Sequence, residues 1–206
     1  MAKMSIVPLV VAGFIGFVLA GCSADQVGDP ENGSTVAMTG DYIAYDERSL
    51  VEDATLVVEG TPLSFEDRMI APQFEGDTPE ENPLLGLSEE DKEKAIAEAS
   101  GVPVTVVTFR VDVVHKGDVQ PGDEITINQI GGVIDGVTYV QADEVMLEAK
   151  QNYLLFATDD LDGAYAVLGG SAGMYVDAGD STFAAAKPEM APFETLTAPE
   201  VGTLTQ

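Results

Sequence analysis

Apolar and polar side chains alternate most clearly from Val102 to His115 (VPVTVVTFRVDVVH). There Val107, Phe109, Val111 and Val113 share one face of a strand, and Thr108, Arg110 and Asp112 share the other. Val102, Val104 and Val106 carry the opposite parity, which predicts a bulge or strong coil near Val106 and Val107. Turn residues Lys116-Gly117-Asp118 and Pro121-Gly122-Asp123 lead into a returning strand, Glu124 to Ile130 (EITINQI). Upstream, Thr55 to Phe65 (TLVVEGTPLSF) is expected to be a strand that bends or bulges at Gly60. Shorter strands are expected at Thr138 to Gln141, Asn152 to Thr158 (NYLLFAT), Ala164 to Leu168, Met174 to Val176 and Ser181 to Ala184. Glycine- and aspartate-rich turns separate them.

Helical signals are few. Ser49 and Glu52 form a capping-box pattern that predicts a short helix from Ser49 to Asp53. Ser88 followed by Glu89, Glu90 and Asp91 starts a second helix that Gly101 can close, with a thin apolar stripe. Between them, Arg68 to Leu87 carries Pro72, Pro79 and Pro83 among many acids and is expected to be a long surface loop. After Lys187 the chain (PEMAPFETLTAPEVGTLTQ) is expected to be an extended or disordered tail. Strands of this length with one inserted helix predict a mainly β fold, a small antiparallel barrel or sandwich. The parity change in Val102 to His115 favours the barrel, whose closure removes exposed edges.

The N-terminus has a different pattern. Lys3, an apolar run from Ile6 to Ala20, and the string Leu19-Ala20-Gly21-Cys22 constitute an export signal ending in a lipobox. The apolar run is short of the roughly 20 residues of a stable bilayer span. Residues 1–21 are therefore expected to be removed as a lipoprotein signal peptide. Cys22 would then carry a diacylglycerol thioether that anchors the mature chain to the membrane. Residues 22–41 are poor in large apolar side chains and are expected to be a flexible tether.

Composition narrows the function. The 206 residues include 36 Asp and Glu against 9 Lys and Arg, a formal charge of -27, which argues against a nucleic-acid partner. One Cys excludes an intramolecular disulfide framework and any zinc site built from several cysteines. His115 is the only imidazole, stands beside Lys116 and Gly117, and is expected to be a partly exposed turn residue and not the base of a triad. Asp159, Asp160 and Asp162 before Gly163, supplemented by Asp177 and Asp180, concentrate hard oxygen ligands that calcium could use. Their spacing lacks the register of a calcium loop, and Asp-Gly hairpin turns explain the same residues. Gly169-Gly170-Ser171-Ala172-Gly173 has no basic neighbour for phosphate and is expected to punctuate a bend of the sheet. No catalytic residue, metal ligand or cofactor is expected.

Three strings together carry a family resemblance: Glu52-Asp-Ala-Thr-Leu-Val-Val-Glu-Gly60, then Val106-x-x-Phe109-x-Val111-x-x-Val114-x-Lys116-Gly117, then Tyr153-Leu-Leu-Phe156. The chain resembles bacterial exported proteins with a netrin-like or metalloprotease-inhibitor-like OB-fold domain. The resemblance spans roughly Ala54 to Val176 and implies a five-stranded barrel with a helix between strands. Protease inhibition does not carry over, because the inhibitors present a free N-terminal cysteine pinned by disulfides, whereas Cys22 is expected to be lipidated. The resulting expectation is an OB-like β-barrel over residues 42–185 and a tail over 186–206. It would be displayed outside the cytoplasm, on the cell membrane or outer membrane, as a non-catalytic module binding an extracellular protein, peptide or glycan. Arg68 to Gly101 is the expected recognition region. A surface hydrolase using carboxylates and a structural envelope protein are the alternatives.

Overall fold

The computed structural model describes residues 33–40, 42–71, 74, 76, 78, 82–99, 101–142 and 144–206. The expected signal peptide, Cys22 and most of the expected tether lie outside the described residues, as does part of the 68–101 segment. Among the described residues no helix is long and apolar enough to cross a membrane. The fold is mainly β, with ten strands and three α-helices among the described residues.

Four strands form the middle of the sheet. β2 (Leu56–Ile70) pairs antiparallel with β3 (Val102–Lys116), and β3 with β4 (Glu124–Ile134). The first five residues of β2 also pair with β6 (Tyr153–Asp159). β7 (Tyr165–Val167) pairs antiparallel with β6 and parallel with β4, so the pairings β2, β3, β4, β7, β6 return to β2. Outside this circuit, β5 (Val137–Gln141) pairs with β4, and β1 (Thr35–Met38) lies parallel to β5. Hence the last part of the expected tether is a strand: Thr35 and Val36 are β-branched and find the outer edge of β5 to extend. On the other side, β8 (Met174–Gly179), β9 (Thr182–Ala185) and β10 (Thr195–Thr197) follow β6.

The unbroken apolar run of β6 reflects burial on both faces. Tyr153, Leu155 and Ala157 enter one core with Val58, Val107, Phe109 and Ile127. Leu154 and Phe156 enter a second with Val57, Tyr175 and Phe183, closed by Leu50 and Val201. Leu50 belongs to α1 (Glu47–Asp53) and Val201 to α3 (Ala198–Leu204). α1 starts two residues earlier than the sequence pattern indicates. Asp46 is its N-cap, accepting from the Arg48 and Ser49 N–H groups, while Ser49 reciprocates from the third helical position. Glu52 instead pairs with Arg48 one turn back. α2 (Glu89–Glu98) is capped by Ser88 as the sequence predicts.

The tail is not extended. Leu196 in β10 and Val201 in α3 are buried, and Thr197 with Glu200 builds a capping box at the start of α3. Three other expectations change. β2 continues five residues past Phe65, so Arg68 to Ile70 are strand and not loop. β4 likewise runs through Gly131 and Gly132 to Ile134 before a two-residue turn at Asp135 and Gly136. The register between β3 and β4 is uninterrupted from Val104 to Arg110, with no bulge at Val106. The irregularities lie where β3 meets β2, at Asp112 and His115 opposite Gly60 and its neighbours, and at Leu63 in β2. The extra residue at Asp112 leaves Val113 exposed and turns Val114 toward the core.

Candidate ligand-binding cleft

The valines of opposite parity have a place of their own. Val102 and Val104 stand on the face of β3 opposite Val107 and Phe109, and they floor a cleft of about 440 Å3. Ile70 at the end of β2, Ile130 on β4 and Ala166 on β7 continue this apolar surface. Both faces of β3 are therefore covered near Val104, and no change of register is needed to bury it.

One wall is the turn after β6. Asp160 N–H donates to the Ala164 carbonyl and Ala164 N–H to that of Leu161, closing a single helical turn over Leu161–Gly163. Asp162 and Gly163 take positive φ values of 57° and 76°, the backbone geometry for which Asp and Gly are suited. The turn leaves Asp159 and Asp162 exposed and brings Asp160 and Leu161 to the cleft. Asp160 Oδ2 accepts from Asn128 Nδ2 at 2.8 Å. Asn128 Oδ1 is buried with no hydrogen-bond partner among the described residues. The cleft thus offers an aliphatic floor and one amide–carboxylate pair. Its described lining holds no hydroxyl, thiol, imidazole or amine.

The other singled-out residues lie elsewhere. Asp177 accepts from the Gly179 N–H within its own turn, and no group of three or more His, Cys, Asp or Glu among the described residues is arranged around a metal position. His115 is a strand residue and not a turn residue, because β3 runs on to Lys116. Its Nε2 lies 2.8 Å from Glu59 Oε1, with the two side chains only 9% and 12% exposed. Of the expected recognition region, Ile70 and Ala71 line the cleft.

The glycine-rich string cradles the segment that enters from β1. A Cβ on Gly170 would meet the Tyr42 ring at 2.7 Å, and one on Gly169 the Tyr45 ring at 3.0 Å. With both absent, Tyr42 reaches Glu144 and donates its hydroxyl proton to the Glu144 carboxylate. Burial pushes the Glu144 carboxyl above its ordinary value of 4.5, opposed by hydrogen bonds from Tyr42 and Gln129. The folded chain holds this proton more tightly than the unfolded chain. Glu144 therefore favours folding fully below pH 4.5 and loses that contribution as pH climbs through its folded value. Glu144→Gln should remove this component, so denaturant unfolding followed as the pH is raised from 4.5 should show a smaller decline in stability than the parent protein. Identical declines would contradict the assignment.

A scan of the sequence against protein-family models finds no match, and neither does a search of curated proteins.

Proposed function

We propose that this chain is an exported bacterial lipoprotein, anchored through Cys22, whose body is an OB-like barrel that binds an extracellular ligand without transforming it. One observation carries the binding role. The cleft lies on the outer face of the β3–β4 pair, between the segment leaving β2 and the turn leaving β6. In chain order these are the second and third strands of the circuit, with the loops after the first and fourth on either side, the position at which OB folds hold ligands. The parallel pairing of β4 with β7 that closes the circuit supports the same architecture. The lipobox Leu19-Ala20-Gly21-Cys22 supports export and anchoring.

The lining favours a peptide over a glycan. It is mostly aliphatic, with no aromatic ring for a sugar to stack on, and the hydrogen-bonded Asn128–Asp160 pair gives it one polar spot for a peptide group. A chain of charge -27 with Asp160 at the cleft repels anionic ligands.

Peptide and glycan arrays probed with the detergent-solubilised full chain test this reading. Short neutral peptides without lysine or arginine should be retained, and Ala166→Trp, which fills the cleft, should weaken their retention about tenfold or more while leaving the melting temperature near that of the parent. Retention of glycans alone, or of these neutral peptides equally by Ala166→Trp, would remove the cleft from consideration.

A further inference from the structure

On the inner side of the sheet, past the first core, a separate cavity of about 310 Å3 opens between β2, β3, β4, β5 and the segment around Glu144. Its lip is made by Phe65, Val133 and Val140, from three different strands, which are 40%, 53% and 47% exposed. Three large apolar side chains gathered in solvent around one opening differ from apolar residues scattered singly over a surface. Within the cavity, Asp67 accepts from Thr105 Oγ1 at 2.6 Å and from the Val133 N–H at 2.8 Å. Gly132 permits this approach, since a Cβ there would lie 2.6 Å from Asp67 Oδ1. Glu144, which also lines the cavity, receives hydrogen bonds from Tyr42 and Gln129. All of these donors are neutral. The ion pairs Arg48–Glu52, Lys92–Glu89 and Arg110–Asp112 lie elsewhere.

We propose that this cavity receives a lysine or arginine side chain from an extended segment of a partner polypeptide. Its methylene stem would lie against Phe65, Val133 and Val140 and its cationic head at Asp67 and Glu144. Such a side chain combines an apolar stem with a charged tip, which is the combination the cavity presents in complement. The surplus of acid over the whole chain draws basic partners toward it. A polypeptide is favoured over a free amine by the neighbouring strand edge. β2 makes its last pairing with β6 at Gly60, so among the described residues Thr61 to Ile70 pairs with β3 alone and leaves its other edge for an added strand. This inference is separate from the cleft reading, and Ala166→Trp should leave it unaffected.

Calorimetry on the detergent-solubilised full chain decides it, using three probes: a blocked pentapeptide with a central lysine, the same peptide with norleucine, and n-hexylamine. The lysine peptide should bind about tenfold tighter than the norleucine peptide, with an affinity that falls as salt is raised. Asp67→Asn and Glu144→Gln should each weaken the lysine peptide by a similar factor. Val140→Lys, which places the chain's own cation at an exposed lip position, should abolish binding, and it remains decisive if the acid variants fail to fold. Equal binding of the norleucine peptide, undiminished binding by Val140→Lys, or tighter binding of hexylamine than of the lysine peptide would each overturn the proposal.

Discussion

Gly60→Ala is expected to lower stability by about 3 kcal/mol or more, enough to leave much of a marginally stable domain unfolded. A Cβ at this position would lie 2.0 Å from the Arg110 carbonyl oxygen and 2.5 Å from the Phe109 ring. Neither neighbour can move aside cheaply. Arg110 is backbone of β3, paired with β2 through Thr61 and with β4 through Glu124, and Phe109 is wholly buried in the first core. β2 and β3 approach this closely because β3 carries its extra residue, Asp112, directly opposite. Urea denaturation of the variant provides the measurement; a midpoint within error of the parent protein would mean that the two strands do not meet as described.

Removal of residues 188–206 should be comparably damaging, although composition marks them as an extended or disordered tail. The deletion strips Leu196 and Val201 from the second core and uncovers Phe183 and Tyr175, which they help enclose. It also removes β10 from the edge of β9. At about 1.5–3 kcal/mol for each fully buried aliphatic side chain, with Phe193 contributing further, the loss should reach roughly 4–8 kcal/mol, the scale of a whole domain's stability. Circular dichroism and denaturant midpoints of the truncated chain would show it. A truncated chain as stable as the parent would refute the docking of α3.

These two cases show what sequence patterns convey and what they leave out. Strand alternation located most of the sheet, because a strand with one covered face must alternate whatever its partner is. The opposite parity of Val102 and Val104 was equally visible, but alternation cannot say whether a second apolar face marks a slipped register or a second surface to cover. Only the arrival of Leu161 and Ala166 from distant parts of the chain makes it a cleft floor. Asn128 gave no separate signal, since a polar residue at the outward parity of EITINQI looks like any solvated position. The tail did carry a local cue: Thr197-Ala-Pro-Glu200 has the spacing of a capping box with a proline in the first turn. Composition outweighed it, because the burial that fixes this helix comes from residues such as Leu50, more than a hundred positions earlier. The glycines at 169 and 170 were legible as conformational freedom, yet what they make room for, Tyr42 and Tyr45, is non-local.

The route by which the N-terminal segment joins the body also has a mechanical consequence. A pull applied ahead of Thr35 is met first by the parallel hydrogen bonds of β1 to β5, loaded lengthwise so that several must yield together. Next in line are the Gln141 amide donating to the Gly40 carbonyl and the Tyr42 hydroxyl on Glu144, packed over Gly170. These fastenings grip the same wall of the inner cavity, so a force on the N-terminal segment would load that wall.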